Sequence, residues 1–186
     1  MAPHGEPSVP QGPKPLAVET QLPVVRTAAG KPGQWNSELN APKPNTTYVV
    51  DNKFVYHTDS SGRVVKSEAV LDSTSGGVRN THQQRTAGNR GGRNDRQPGD
   101  QGGHIYGTQY GGPDEDINIT GMKAELNAVG TREYGKLEDI WKKAADAGTP
   151  VNVKIEFSYK GNSTRPAGYD IAYTINGQEF FRYLAN

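Results

Sequence analysis

The sequence contains no cysteine, so neither a disulfide framework nor a thiolate metal site is available to it. It has no run of about 18 apolar residues that could span a membrane. Its first ten residues, MAPHGEPSVP, lack the apolar segment of a signal peptide. Apolar residues make up only 32% of the 186 residues, which indicates a polar domain rich in loops. We therefore expect no membrane segment in this chain.

Proline and aromatic residues divide the chain into two parts. Nine of the 13 prolines lie in residues 1–44, whereas 14 of the 15 aromatic residues lie from Tyr48 onward. A hydrophobic core needs large apolar side chains, and these are concentrated in the second part. The sequence therefore predicts a proline-rich linker or tail of a longer protein over residues 1–44 and one folded domain over residues 45–186.

Charge is unevenly distributed, although the net charge is only +1. Five arginines lie between residues 76 and 100, and a short acidic run, Asp114, Glu115 and Asp116, follows. An arginine-rich loop could face a phosphate chain, but a solvated, disordered loop has the same composition. Charge alone favours the disordered loop, with the phosphate-facing surface as the alternative.

Hydrophobic periodicity predicts a mixed α+β fold with antiparallel strands and two main helices. Residues 46–71 alternate apolar and polar side chains, as in a meander of three strands. Residues 72–103 read as a long loop, GMKAELNAV as a short helix capped by Thr120, and TREYGKLEDIWKKAADAG as a longer helix. Three more strand patterns follow, VNVKIEFSY, GYDIAYTI and QEFFRYL, and an Asn176-Gly177 hairpin turn connects the last two. No dinucleotide-binding or P-loop motif occurs.

Four polar residues after the arginine-rich segment could form a site for phosphodiester hydrolysis. His104 could act as a base, Asn118 and Asn127 lie nine residues apart, and Glu138 follows on the longer helix. One base, two amide oxygens and one acid suffice for a nuclease site with a single cation. Each residue also has an ordinary structural explanation: an exposed histidine, two cap or turn residues, and a surface pair of Glu138 with Lys142.

Taken together, the motifs resemble the DNA/RNA non-specific endonuclease family, and most closely its subgroup of C-terminal toxin domains in bacterial polymorphic toxins. The motifs are YHTDSSGR, GGHIYGTQYGG, DEDINITGMKAELN, YGKLEDIW and RPAGYD, and they span residues 45–186. The resemblance implies the ββα-metal fold, also called the His-Me finger, in which a strand carries the histidine and a crossing helix carries an asparagine.

The resemblance also implies roles for individual residues. His104 matches the general base that takes a proton from the attacking water. Asn127 matches the asparagine that binds Mg²⁺ directly, with Mn²⁺ as an alternative cation. Asn118, the second candidate metal ligand, matches the upstream asparagine that supports the metal site, and Glu138 matches the acid that holds water on the metal.

One position departs from the family pattern. The broader family has D-R-G-H, whereas this chain has Gln101 and Gly102 in place of the aspartate and arginine. Another arginine must then contact the phosphate. Arg85, in HQQRTAG, is the expected catalytic arginine, with Arg93 and Arg96 as further substrate-binding candidates.

The resemblance predicts a Mg²⁺-dependent endonuclease that cuts DNA, with RNA left open as a second substrate. It implies a secreted toxin module that acts in the cytoplasm of a target cell and is neutralised by a cognate immunity protein. Two alternatives remain: a non-catalytic module of an exported protein that binds nucleic acid or a partner protein, and a structural or immunity-type protein.

Overall fold

The computed structural model describes residues 21–73, 81–88, 95–128 and 132–186. Within these ranges the chain forms nine strands: β1 Val24–Thr27, β2 Thr47–Val50, β3 Phe54–Thr58, β4 Val64–Leu71, β5 Asp100–His104, β6 Ile119–Lys123, β7 Val151–Tyr159, β8 Pro166–Ile175 and β9 Gln178–Ala185. The same ranges contain four α-helices: α1 Ser37–Asn40, α2 Thr81–Thr86, α3 Ala124–Asn127 and α4 Glu133–Asp146. The α+β class that the sequence predicts is confirmed.

Seven strands form one sheet in the order β1-β2-β3-β4-β7-β8-β9, with every neighbouring pair antiparallel except the parallel pair β1 and β2. The predicted meander of β2, β3 and β4 is confirmed. The Asn176-Gly177 turn is also confirmed: both residues have positive φ, which a tight turn between two antiparallel strands requires.

The folded part of the chain reaches into the segment that the sequence predicts as a linker. Strand β1 pairs with β2, and Leu39 of α1 is completely buried in the core. Composition missed these elements because each is only four residues long and lies among prolines. The first 20 residues lie outside the described ranges.

Helix α4 covers the inner face of the large sheet, as its apolar stripe predicts. Tyr134, Leu137, Trp141 and Ala145 are buried, and Trp141 packs edge-on against the sheet residue Tyr173. Ile140, which the same stripe predicts to be inside, is 43% exposed instead.

Strands β5 and β6 form a separate two-stranded sheet that we call the site hairpin. The sequence predicts a helix from Gly121, but residues 119–123 pair with β5, and the helix that follows has only four residues. Thr120 therefore caps no helix; its hydroxyl lies 3.0 Å from that of Tyr169 on the large sheet. Only α4 is longer than six residues among the described helices, so the expectation of two main helices is wrong. None of the helices described is long and apolar enough to cross a membrane.

Candidate functional site

A cavity of about 60 Å³ collects three of the predicted site residues. His104, at the end of β5, Asn127, at the end of α3, and Glu138, on α4, all line it. The cavity is completed by Gln84, Gly102 and the turn of residues 107–109. Elements that lie far apart in the sequence therefore bring together the base, the amide and the acid.

The short connection between β6 and α3 places the asparagine next to the histidine strand. His104 pairs with Ile119 in the hairpin register, and α3 begins directly after β6 and turns back over β5. A Cβ at Gly103 would lie 2.9 Å from Oδ1 of Asn127. The amide oxygen therefore sits against the backbone just before the histidine.

Hydroxyl groups of two buried tyrosines attach the histidine segment to α4. Tyr134 donates a hydrogen bond to the carbonyl of Ile105, the residue after His104. Tyr110 donates to the carbonyl of Glu138 at 2.8 Å. Burial raises the pKa of both phenols, so they stay protonated and keep their role as donors. These two bonds fix the distance between the histidine strand and the helix that carries Glu138.

His104 is buried, and its ring has a carboxylate partner that the sequence did not reveal. Nε2 lies 2.9 Å from Oδ1 of Asp114. The sequence shows Asp114 only as the first residue of an acidic run. No local pattern predicts the contact, because it forms only when the loop of residues 105–113 folds back on itself.

Asn127 and Glu138 form a donor set that suits Mg²⁺. Nδ2 of Asn127 donates to Oε1 of Gln101 at 2.9 Å, which identifies Oδ1 as the amide atom left to accept a cation. Mg²⁺ prefers a few protein oxygens completed by water, and the cavity of about 60 Å³ has room for water. No cluster of three or more His, Cys, Asp or Glu side chains suited to a metal occurs in the described ranges. An amide oxygen, a carboxylate and water nevertheless fit this cation.

Glu138 does not form the surface pair with Lys142 that its spacing allows. Glu138 is buried and lines the cavity, whereas Lys142 donates to Asp146 at 2.6 Å, one helical turn further on. A surface ion pair with Lys142 therefore does not explain the presence of Glu138 at this position.

Asn118 does not line the cavity, and its side chain is fully used inside the protein. Oδ1 accepts hydrogen bonds from the hydroxyl of Tyr56 at 2.8 Å and from the backbone N–H of Tyr106 at 3.0 Å. Nδ2 donates to the carbonyls of Tyr106 and Pro113, both at 2.8 Å. An amide has two acceptor positions and two donor hydrogens, so none remains for a cation. The prediction of Asn118 as a metal ligand is corrected: it holds the loop that leads from His104 to Asp114.

The glycine in place of the family arginine is explained by helix α2. A Cβ at Gly102 would lie only 2.1 Å from the carbonyl oxygen of Gln84, so any side chain here would collide with that helix. The space beside Gly102 is therefore taken up by the protein's own helix.

Arg85 lies beside the cavity on the helix that excludes a side chain at residue 102. It is exposed, and together with Gln101 and Gly102 it lines an open groove that adjoins the cavity. The groove and the cavity share Gln84 and Gly102, so a phosphate chain that reaches His104 would pass near Arg85.

Arg96 lines the same groove, but its guanidinium has internal partners. It donates to the carbonyls of Gln84, Arg85 and Asp100, which ties α2 to the start of β5. Arg93 lies outside the described residues. Of the three predicted arginines, only Arg85 is described as an exposed side chain next to the cavity.

A buried ion pair, which the sequence did not predict, connects the site hairpin to the large sheet. Arg165 donates two hydrogen bonds to Asp100, from Nε at 2.6 Å and from Nη2 at 2.9 Å. The side chains are 6% and 1% exposed. Burial alone would raise the pKa of Asp100, but the bonds from Arg165 and from the backbone of Gln97 outweigh it and lower that pKa.

Comparison with known proteins identifies one family, a relative by sequence and solved structures with a similar fold. Residues 44–177 match the family described as DNA/RNA non-specific endonuclease. The chain is 35% identical over 150 residues to the type VII secretion system protein EssD of Staphylococcus aureus, in strains USA300 and NCTC 8325 / PS 47. That match covers 77% of this chain but only 23% of EssD, so the chain spans about a quarter of the length of this relative.

Two solved structures share the fold. These are crystal structures of NucA from Streptococcus agalactiae, one with a magnesium ion bound and one with no metal. Their TM-scores are 0.54 and 0.53, with 16% sequence identity, over 72% of this chain and 70% of NucA. The family match confirms the resemblance that the sequence motifs indicate.

Proposed function

Since the chain belongs to the DNA/RNA non-specific endonuclease family, we propose that it hydrolyses phosphodiester bonds in DNA and RNA with His104 as general base and Mg²⁺ as cofactor. The observation that carries the proposal is the cavity in which His104, Asn127 and Glu138 meet beside the groove of Arg85. A base, oxygen donors for a cation and an arginine for the phosphate are the groups that this hydrolysis needs.

The proposed reaction begins with proton transfer to His104. A neutral His104 accepts a proton from the attacking water, whose oxygen then attacks phosphorus in line with the 3′ oxygen. The bond to the 3′ oxygen breaks, the 5′ phosphate remains on the other product, and solvent protonates the leaving oxygen.

Asn127 would hold the cation through Oδ1, and Glu138 would contribute its carboxylate together with water. When bound, Mg²⁺ supplies positive charge that stabilises the phosphate oxygens and the leaving 3′ oxygen. NucA, whose fold this chain shares, has been crystallised with magnesium bound. Manganese has the same preference for oxygen donors and is expected to substitute.

Phosphate contacts rather than base contacts are expected to dominate substrate binding. Arg85 would contact the phosphate chain from the groove that it lines together with Gln101 and Gly102. Phosphate contacts carry no sequence information, so cleavage should be tolerant of sequence and should weaken with added salt.

The assay is digestion of supercoiled plasmid and of total RNA, side by side, with Mg²⁺ and with EDTA. His104→Ala is expected to lower the rate by about 10²- to 10⁴-fold, the range that general acid-base groups contribute. Asn127→Ala is expected to lower the rate by a similar factor, because it removes the amide oxygen proposed to hold the cation. Lys142→Ala, which removes an exposed pair on α4, is the matched control and should keep wild-type activity. Full activity of His104→Ala, or full activity in EDTA, would refute the mechanism. Retention of DNA in a gel shift without cleavage under any metal would support the non-catalytic binding module.

We also propose that the domain serves as the toxic C-terminal module of a secreted bacterial protein and acts in the target-cell cytoplasm, with a cognate immunity protein as its partner. The support is its likeness to EssD, which is named as a type VII secretion system protein and is about four times longer than the matched region. Expression in a bacterial cytoplasm should stop growth for the wild type and not for His104→Ala. Normal growth with an active wild-type enzyme would argue against a toxin.

A further inference from the structure

The acidic run after the histidine loop is unusual because all three of its side chains are buried. Asp114, Glu115 and Asp116 are 8%, 0% and 4% exposed. Burial of an ionised carboxylate is costly unless it is paired or hydrogen-bonded. The hydrogen-bond partners of these three residues therefore indicate what the acidic run does. The mechanism proposed above assigns no role to Asp114, Glu115 or Asp116.

Asp114 contacts the histidine of the proposed mechanism through one of its two ring nitrogens, Nε2. Its Oδ1 lies 2.9 Å from Nε2 of His104, and neither side chain is more than 10% exposed. An ionised carboxylate can only accept a hydrogen bond. Nε2 must then carry the hydrogen, and in a neutral imidazole this leaves Nδ1 as the acceptor.

Nδ1 of His104 has no hydrogen-bond partner among the described residues, and the ring lines the cavity. The nitrogen that can accept a proton is therefore the one that the Asp114 contact leaves unprotonated. Without the carboxylate, the ring could hold its hydrogen on either nitrogen, and the Nδ1–H form could not act as a base through that atom.

The other two residues of the run fasten it to the N-terminal segment of residues 28–40. Oε1 of Glu115 accepts hydrogen bonds from the backbone N–H groups of Gly30, at 2.5 Å, and Asn36, at 3.0 Å. The backbone N–H of Asp116 donates to Oδ1 of Asn40 at 3.0 Å. On its other side, Asn118 holds the carbonyl of Pro113, the residue before Asp114.

Gly30 allows the N-terminal segment to lie close to Glu115, because glycine has no Cβ. A Cβ there would lie 2.6 Å from Oε1 of Glu115 and 2.5 Å from the backbone nitrogen of Asn36. Any other residue at position 30 would push the segment away from the acidic run. The backbone of Asp114 is thus held from both directions, which is what orientation of a ring to within a few tenths of an ångström requires.

We propose that Asp114 is a positioning residue that fixes His104 in the Nε2–H tautomer, and that the segment of residues 28–40 keeps Asp114 in place through Glu115 and Asp116. The proposal rests on the proposed function for the role of His104 as base. It extends the functional unit to a segment that supplies none of the residues lining the cavity.

The direct test is the tautomer of the His104 ring, read from ¹⁵N chemical shifts of uniformly labelled protein at a pH where the ring is neutral. The spectrum of His104→Ala identifies the His104 signals by their absence. The wild type should show the Nε2–H pattern. Asp114→Asn should shift toward the Nδ1–H form, because an amide can donate to Nε2 as well as accept from it. An unchanged Nε2–H pattern in Asp114→Asn would overturn the proposal.

Kinetics provides the second readout. Asp114→Asn should lower kcat by about tenfold or more, the loss typical when the partner that orients a histidine is removed. KM should change little, because Asp114 does not line the cavity or the groove. Asp114→Glu keeps a carboxylate and should recover part of the loss. Asp146→Asn, which breaks an exposed ion pair on α4, is the control and should change neither readout. Wild-type kcat in a folded Asp114→Asn would contradict the role.

The attachment of the N-terminal segment is tested by Gly30→Ala, with Lys31→Ala as the control because that neighbouring side chain is exposed. Gly30→Ala should lower kcat and mix the tautomers, whereas Lys31→Ala should do neither. A Gly30→Ala protein with wild-type tautomer and kcat would refute the role of the segment. Failure of the proposed function looks different: the wild type would be inactive on DNA and RNA while its ring still showed the Nε2–H tautomer.

Discussion

The large sheet and the site hairpin are stabilised by different kinds of contact. The inner face of the sheet is apolar and packs on α4 through residues such as Tyr173 and Trp141. The loop beside the hairpin instead buries polar side chains, among them Asp114 and Asn118, each with specific hydrogen-bond partners. Apolar burial is non-directional, whereas a buried polar group depends on the position of its partner. The sheet therefore supplies stability, and the hairpin region supplies the geometry of the site.

The largest expected effect is the difference in unfolding free energy between a variant of the sheet core and a variant of the site. Trp141→Ala should lower the free energy of unfolding by about 3–5 kcal/mol, because it removes a completely buried ring from between Tyr134 and Tyr173. Asn127→Ala should change this free energy by less than about 0.5 kcal/mol, because the bond it loses is exposed. It should still lower the cleavage rate by the large factor expected above.

Urea denaturation followed by far-ultraviolet circular dichroism measures both variants. If Asn127→Ala proved as destabilising as Trp141→Ala, the site residue would be part of the core, and the contrast between the two regions would fail.

The sequence predicted the sheet well and the polar contacts poorly, for a physical reason. A strand whose apolar residues alternate with polar ones turns its apolar side to the core, whichever strand it pairs with. The pattern alone was therefore enough to predict β2, β3, β4 and the β8–β9 turn. The motifs predicted His104, Asn127 and Glu138 as site residues, and these three line one cavity in the structure. The contacts of Asp114 and Asp100 depend on residues brought close only by the fold, so no local pattern announces them.

The β6 segment shows a second limit. GMKAELN has the composition of a helix, but backbone pairing with β5 holds its first residues in a strand. Local preference was outweighed by a tertiary contact, as is common for short segments. The helix prediction was correct only for residues 124–127.

The second prediction concerns the ion pair that joins the two regions. Asp100→Asn should lower the free energy of unfolding by about 3 kcal/mol at neutral pH, because it leaves the buried guanidinium of Arg165 without a charged partner. The pKa of Asp100 is lowered in the folded protein, so the pair stabilises fully above the ordinary carboxyl pKa of about 4 and is lost as the pH falls through the folded value.

The difference in unfolding free energy between wild type and Asp100→Asn should therefore shrink on acidification below about pH 4. Urea midpoints at pH 7 and at about pH 3 measure this. A difference that stays constant with pH would mean that the charge of Asp100 contributes nothing.

The smallest expected effect on stability tests whether contacts at the edge of the site hairpin serve geometry rather than stability. Arg96→Lys replaces a planar guanidinium, which bonds the carbonyls of Gln84, Arg85 and Asp100, by a single ammonium that cannot span all three. The free energy of unfolding should fall by only about 1 kcal/mol. Because helix α2 would loosen from β5 and carry Arg85 with it, KM for DNA should rise more than kcat falls.

Arg182→Lys is the matched control for Arg96→Lys, since Arg182 forms an exposed pair with Glu133, away from the cavity. It should leave both stability and KM unchanged, because exposed pairs contribute roughly 0–1 kcal/mol. If Arg96→Lys instead destabilised the protein strongly at unchanged KM, Arg96 would belong with the stabilising contacts of the sheet. The position of Arg85 would then not depend on the hydrogen bonds by which Arg96 joins α2 to β5.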